Sequence, residues 1–356
     1  EMRFDDATAG WGEATLIGQE AAAISVARRL FPELTAAMTS RADLFDRLPF
    51  GSLPEAAISS AVMQAFRDAE ARRAGLPLTD CLGGRVRDRI GLYANINRRT
   101  RDRSPAGMAQ SALDARAAGF EAVKIAPFDE VRPGLDGAGM RAAMAPGLDR
   151  MAAVRDALGP AARLMVDCHW RFTEEGAAEM IRATAPLAPY WVECPVPEAQ
   201  DQIDAISRLR KTANAAGIRL AGLETQINTE GFRPYLTAGA YDVMMPDVKY
   251  AGGPDEMMRI AALFDRYGVA FSPHNPSGPI CHIHSLHICA ALRASDLLEH
   301  QFDETPVFDA LVASGLPKSS GGYAAPDWDR AGLGAVLARD PILVSDIDLG
   351  TGGTER

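Results

Sequence analysis

The stretch "RLMVDCHWRF" (Arg163–Phe172) begins as a buried strand would, with Leu164, Met165 and Val166 behind Arg163. It then turns abruptly polar at Asp167, Cys168, His169, Trp170 and Arg171. A carboxylate and an imidazole two residues apart at the end of an apolar run must be solvated, paired, or holding something. The same texture recurs along the chain. "GLYANIN" (91–97), "EAVKIA" (121–126), "RLMVD" (163–167), "YWVE" (190–193), "IRLAGLE" (218–224), "YDVMMPD" (241–247), "VAFSPH" (269–274) and "LLEHQF" (297–302) read as strands. Helical patterns lie between them, the clearest being "GPDEMMRIAALFDRYG" (253–268). There Pro254 suits the first turn, Met257, Ile260, Ala261 and Phe264 share a face, and Gly268 marks the stop. Eight strands with helices between most of them predict an α/β fold and favour a parallel (β/α)8 barrel over an open sheet, although periodicity alone leaves a doubly wound sheet open.

Residues 1–88 differ in texture. Arg3-Phe4 and "AGWGEATL" read as two strands around a turn, followed by helical segments near 20–40 and 54–75, an α+β layer. The predicted organisation is therefore an α+β capping domain over 1–88, a barrel carrying the chemistry over 89–304, and a segment over 305–356 that returns to pack on the cap. The tail "LGTGGTER" is expected to fray.

With 356 residues the chain can build one large α/β domain and a smaller one. A composition of 47% hydrophobic and 24% charged residues is that of a globular protein. No apolar stretch approaches the roughly 18 residues of a spanning helix, and the start lacks the pattern of a secretory signal, so no membrane partner is expected. Five scattered cysteines without a C-x-x-C pair argue for a reducing compartment, hence the cytoplasm. A net charge of −10 without clustered Lys and Arg disfavours nucleic acid. An anionic substrate would then need local positive charge, such as a metal.

In a parallel barrel the chemistry sits at the C-terminal strand ends. The polar residues closing the predicted strands are Lys124, Asp167, Glu193, Glu224, Asp247, His274 and Glu299, and from Asp167 onward they recur 26, 31, 23, 27 and 25 residues apart. One strand plus one helix is about that long, so the same end of successive strands is decorated. Asp167, Glu193 and Glu224 lie on consecutive strands and would repel unless a hard divalent cation such as Mg2+ relieved them. Each could instead be a solvated loop acid. Asp247 and His274 lie on neighbouring strands, where a carboxylate on one ring nitrogen leaves the other free to act as a base. A structural hydrogen-bonding role is the alternative for His274.

These residues resemble the enolase superfamily, and within it the mandelate racemase-like subgroup. "GWGEAT" and "EARRAGLPLTDCLGG" resemble the capping domain and its exit, "GFEAVKI" the second barrel strand, "WVECPVPE" the fourth, and "MMPDVKYAGGPDEMMRIAALFDRYGVAFSPHNPSGPI" the sixth and seventh. The resemblance implies a modified TIM-like barrel under an α+β cap. It also implies Asp167, Glu193 and Glu224 as Mg2+ ligands, Asp247-His274 as a base pair, Glu299 near the substrate, and proton abstraction α to a carboxylate, a chemistry already known for this superfamily. A homo-oligomer is expected on the same ground. By this resemblance the chain begins inside a hairpin, so the first strand and the specificity loop after it are expected to lie outside these residues.

Departures from the pattern refine the expectation. Racemases of the subgroup resemble Lys-x-Lys on the second strand; here Lys124-Ile125-Ala126 lacks the second base. Lys124 is left as an electrostatic group near the substrate, an unconventional catalytic partner, or a structural residue. Asp167-x-His169 resembles the acid-sugar dehydratases, in which that His protonates the departing β-hydroxyl; the other reading of His169 is a group orienting a metal ligand. Arg171 is a candidate for binding the distal part of an anionic substrate. Cys194 reads as a small pocket-wall residue, and His282, His284 and His287 as a helix surface or subunit contact. The expected function is Mg2+-dependent dehydration of a small hydroxylated carboxylate, an aldonate or aldarate. An epimerase or racemase of the same fold is the first alternative, and a catalytically silent binding or structural barrel the second.

Overall fold

A computed structural model of the chain describes residues 1–4, 6–34 and 41–338; the tail "LGTGGTER" lies outside them. All eight predicted barrel strands are present. We label them β1 (Ile90–Asn95), β2 (Ala122–Ile125), β3 (Arg163–Asp167), β4 (Trp191–Glu193), β5 (Arg219–Gly222), β6 (Val243–Met244), β7 (Ala270–Phe271) and β8 (Leu298–Gln301). Each strand from β1 to β6 pairs in parallel with the next, and β8 lies beside β1 with Leu298 opposite Leu92 and Gln301 opposite Asn95. Between β7 and β8 the Phe271–Ser295 bridge and a hydrogen bond from Asp296 N–H to Phe271 O (2.8 Å) bring the ends together. The result is a TIM-like barrel beneath a capping layer.

Side-chain alternation explains why the barrel forms and where its polar groups point. Leu92, Ala94, Val123, Ile125, Leu164, Val166 and Val192 face the surrounding helices and share one core with them. Their neighbours Tyr93, Ala122, Met165, Trp191, Ala221, Val243 and Met245 fill the interior. Two residues beyond this apolar inner layer, on the same face, come Asn95, Lys124, Asp167, Glu193 and Asp247. The interior is therefore apolar at one end and charged at the other.

The surrounding helices carry the signals expected of them. The helix Pro254–Tyr267 begins on Pro254, buries Met257, Ile260, Ala261 and Phe264, and ends at Gly268 with φ 66°. Burial of each large apolar side chain contributes about 1.5–3 kcal/mol. Only glycine enters that left-handed stop without steric cost.

In the capping layer, Met2–Arg3 pairs antiparallel with Ala9–Gly10. The helices Glu20–Leu34, Arg41–Arg47 and Leu53–Ala74 pack over this hairpin around Val26, Leu30, Leu44, Met63 and Phe66. A Cβ on Gly10 or Gly12 would stand 1.9 Å from the carbonyl of Ala65 or Ala61, so "AGWGEAT" needs both glycines to lie against the long helix. Past the barrel, Tyr323–Ala324 adds an antiparallel strand to β1. Further on, Leu333 N–H donates to Asp68 Oδ1 (2.8 Å), and Arg72 donates to Ala335 O (3.1 Å).

One expectation is corrected. The helix Pro279–Ala291 is buried along almost its whole length, so His282, His284 and His287 are interior groups rather than a surface. Each ties the helix to a different part of the chain. Asn275 Nδ2 donates to His282 Nδ1 (2.8 Å), His284 Nε2 donates to Trp11 O (3.1 Å), and Thr79 N–H donates to His287 Nδ1 (3.2 Å). Helical spacing showed that the three share a helix but not that protein covers every side of it.

Candidate active site

The charged end of the barrel gathers buried carboxylates from Asp167, Glu193, Glu224, Asp247 and Glu299, with two buried lysines, Lys124 and Lys249. Asp167 and Glu193 are direct partners across β3 and β4. Glu193 lies opposite Ala221 on β5, so Glu224 comes three residues beyond that level. Three is an odd step, which would normally turn a side chain outward. Leu223 intervenes with φ 75°, joins the outer core, and returns Glu224 to the interior. The longer gap between Glu193 and Glu224 thus has a local cause, and it also explains why β5 ends at Gly222 rather than at the predicted residue 224.

Lys124 Nζ lies 2.6 Å from Glu193 Oε1, 3.0 Å from Glu299 Oε1 and 4.0 Å from Asp167 Oδ2, with 1% of its side chain exposed. Burial opposes its charge, but Glu193 and Glu299 outweigh that and hold its pKa well above the ordinary range. Glu299 also accepts from Asn95 Nδ2 (2.6 Å) and Asn275 N–H (2.9 Å). Against the effect of burial, Lys124, His274 and these donors bring the Glu299 carboxyl down to about 2. Glu193 is pushed the other way. Its burial, with Asp167, Glu299 and Glu224 adding to it, outweighs Lys124 and lifts the carboxyl to about 8.

His274 meets the expected partner. Its Nδ1 is 2.7 Å from Asp247 Oδ2, and its Nε2 is 3.5 Å from Glu224 Oε2. Burial alone would lower the imidazole pKa, but Glu224 and the Asp247 bond raise it to about 9. His169 folds back on the carboxylate two residues before it, with Nε2 at 2.9 Å from Asp167 Oδ2 and its backbone N–H on Oδ1 at 3.0 Å. Asp167 thereby raises the His169 pKa against the effect of burial. Arg171 stands apart from this group: its Nη1 donates to the carbonyls of Phe128 (2.9 Å) and Asp129 (3.0 Å), fastening the loop after β2. Cys194 lies buried between Glu198 and Glu224.

The carboxylates Asp167, Glu193 and Glu224 come to one end of the barrel but keep different neighbours: His169, Lys124 and His274. Among the described residues, no three His, Cys, Asp or Glu side chains form a ready-made metal cage. The donor set nevertheless fits a hard divalent cation. Five buried carboxylates face two lysines, all three candidate ligands offer oxygen, and burial with mutual repulsion raises both Glu193 and Glu224. An added ion of charge two would relieve that repulsion.

Three residues bonded into or around this group were not legible as its neighbours in the sequence. Lys249 Nζ donates to the same Asp247 oxygen as His274, at 2.6 Å, and also reaches Ser277. Its place two residues after the strand-end acid was the available signal. Glu13, from the cap, accepts from Gly278 N–H (2.6 Å) and Cys281 N–H (3.1 Å), closing the start of the helix that follows the His274 loop. Glu198, the acid in the Pro-rich loop after β4, binds Trp170, Leu223 and Tyr241.

Residues 107–341 match the model of the enolase C-terminal domain-like family. The chain belongs to this family. It is 32% identical over 255 residues to a D-gluconate dehydratase of Thermoproteus tenax, covering 72% of this chain and 49% of that protein. It is 31% identical over 295 residues to a D-galactonate dehydratase of Xanthomonas euvesicatoria, covering 81% and 74%. The chain thus spans about half of the first relative and three quarters of the second. Its fold matches an enolase from Agrobacterium radiobacter, provisionally assigned as a galactarate dehydratase and crystallised with sodium and L-malate. That match has a TM-score of 0.80 at 26% identity and covers 94% of this chain and 87% of the other.

Proposed function

We propose that the chain is a Mg2+-dependent hydro-lyase acting on an acid sugar, an aldonate or aldarate. The observation that carries this reading is the His274–Asp247 pair facing Glu224 at the charged end of the barrel. The gluconate and galactonate dehydratases similar to this chain support the substrate class. The sodium and L-malate in the Agrobacterium radiobacter protein agree with a cation and a hydroxy acid at this kind of site.

Asp247 accepts the Nδ1–H of His274, which orients the ring; with Glu224 neutralised by a cation, the contact that raises this imidazole most is removed and Nε2 is free to act as the base for the α-proton. Lys124 and Glu299, already bonded to one another, border the substrate carboxylate and its hydroxyls. His169, held against Asp167, is the proton donor to the β-hydroxyl, which leaves as water while the former C–H electron pair forms the double bond. The enol product then tautomerises to a 2-keto acid. A divalent cation held by Asp167, Glu193 and Glu224 would supply the positive charge that makes a carboxylate's α-proton accessible to a side-chain base.

We further infer the division into cap (1–88), barrel (89–304) and returning segment (305–356), supported by the contacts of Leu333 and Ala335 with the long cap helix. Arg171 is assigned to holding the loop around the substrate's distal end. The cytoplasm suits a chain whose five cysteines form no disulfide, and a homo-oligomer suits the exposed Ile17 and Val336. Among the described residues no helix is long and apolar enough to cross a membrane.

The test is a screen of acid sugars with Mg2+ in deuterated water, reading 2-keto acid formation and deuterium at Cα. Keto-acid release from an aldonate or aldarate is expected. Deuterium exchange without keto acid indicates an epimerase instead. Neither signal, together with no Mg2+ binding, leaves a silent barrel.

A further inference from the structure

Glu198 lies in the loop after β4, outside the set of residues that the proposed reaction uses. Its Oε1 accepts from the backbone N–H of Leu223 (2.7 Å) and from the Tyr241 hydroxyl (2.7 Å); its Oε2 accepts from Trp170 Nε1 (3.0 Å). Cys194 Sγ approaches Oε1 at 3.8 Å. Three of these four neighbours sit beside a candidate ion ligand: Leu223 immediately precedes Glu224, Cys194 immediately follows Glu193, and Trp170 comes three residues after Asp167.

The same three residues share a second property. Trp170 (φ 56°), Cys194 (φ 47°) and Leu223 (φ 75°) all hold left-handed backbone, as does His169 (φ 47°). Bulky L-residues adopt this conformation only when surrounding contacts impose it. For Leu223 the conformation decides which way Glu224 faces. One carboxylate therefore touches all three strand ends where the backbone is forced and an acid must be aimed. Gly222 makes room for it: a Cβ there would lie 2.3 Å from Glu198 Oε1 and 2.9 Å from the Tyr241 ring.

We propose that Glu198 is a positioning residue that fixes the ends of β3, β4 and β5, and through them the aim of Asp167, Glu193 and Glu224 at a divalent cation. The assignment rests on the proposed ion site. It makes no claim that Glu198 touches the ion or the substrate.

The experiment measures Mg2+ binding by calorimetry without substrate, far below the unfolding temperature, on wild type, Glu198→Ala, Glu198→Gln, Trp170→Phe and the double variant Glu198→Gln/Trp170→Phe. Glu198→Ala is expected to raise the dissociation constant at least about tenfold, the scale on which groups behind metal ligands act. Glu198→Gln keeps an acceptor for Leu223 and Tyr241 but turns an N–H toward the Trp170 N–H, so it too is weakened. Adding Trp170→Phe removes that donor clash and restores at least half of the lost binding free energy. A merely structural contribution would not produce this rescue.

If Glu198→Ala does not fold, the isosteric Gln variant and its rescue carry the test. Wild-type binding with Glu198→Gln within twofold of it, or with no recovery in the double variant, overturns the role of Glu198 while leaving the proposed function standing. No binding by wild type overturns the ion site itself.

Discussion

Replacing Lys124 by Met tests whether the charged end of the barrel is an ion site short of positive charge. Lys124 holds its ammonium 2.6 Å from Glu193, 3.0 Å from Glu299 and 4.0 Å from Asp167, almost without solvent. Removing it leaves two buried carboxylates, Glu193 and Glu299, whose nearest cation is gone, and breaking a buried pair in this way costs about 3–5 kcal/mol. Unfolding entropy near 2.1 cal/mol/K per residue amounts to about 0.75 kcal/mol/K for this chain, so the apparent Tm in EDTA should fall by about 4–7 °C. The same change removes a charge that repels a cation. Lys124→Met should therefore bind Mg2+ more tightly than wild type, and saturating Mg2+ should recover much of the lost Tm even though turnover is impaired. Thermal scans with EDTA and with Mg2+, plus calorimetric titration, read both effects. An unchanged Tm in EDTA would refute the electrostatic accounting at Lys124. Weaker Mg2+ binding by a folded Lys124→Met protein would refute the idea that these carboxylates form a cation site.

Four further outcomes are expected. His274→Asn should lower kcat by about 10²–10⁴-fold, the usual contribution of a positioned base, with the circular dichroism spectrum unchanged. His169→Asn should suppress keto-acid formation more than deuterium exchange at Cα; equal loss of the two would remove its role as the acid. Glu13→Ala strips two N–H acceptors from the start of the helix Pro279–Ala291 and should cost about 1–2 kcal/mol in urea unfolding, as the loss of a helix cap does. A midpoint unmoved by Glu13→Ala would show that the cap contributes nothing to that helix. His287, brought to about 3 by burial, stays neutral in the folded protein but gains a proton on unfolding once the pH is below about 6.5, so its contribution to stability falls with falling pH from there down to about 3. At pH 5 this difference is worth about 2 kcal/mol, so His287→Asn should lose that much less stability than wild type between pH 7.5 and 5. Parallel urea curves at the two pH values would exclude it.

Much of the fold was legible because the barrel repeats one simple pattern. A short apolar run ends in a polar residue, and the spacing of those endings matches one strand plus one helix. In β2, β3 and β4 the inward residue two steps before the polar end is Ala122, Met165 or Trp191, and the alternation carries the side chain of Lys124, Asp167 or Glu193 onto the same face. Strand identity and strand-end chemistry therefore come from one period of two. That argument fails where the backbone leaves the β region, and β5 is the case in point. Counting from Ala221, Glu224 has the wrong parity, and nothing in "RLAGLE" announces that Leu223 is left-handed. The conformation becomes intelligible only with Glu198 present to accept the Leu223 N–H and Gly222 present to admit Glu198.

Two of the contacts hidden from the sequence join residues far apart in the chain around a carboxylate. Glu13 meets Gly278 across 265 residues, and Asn95 meets Glu299 across 204. Spacing cannot forecast such pairs, but charge neutrality demands that something of their kind exist. A buried carboxylate left without a donor would protonate or unfold its surroundings. Asp247 and Glu299 each have several donors and are held as anions, whereas Glu193 has Lys124 and Trp191 and remains raised to about 8. An acid that the protein's own contacts leave raised is thus one of the three expected to bind a cation. With both donors in place, Lys124 on one oxygen and Trp191 on the other, the acid still stands raised, so a cation beside it would relieve what the protein's own contacts leave uncompensated, and that is the balance expected of a candidate metal ligand.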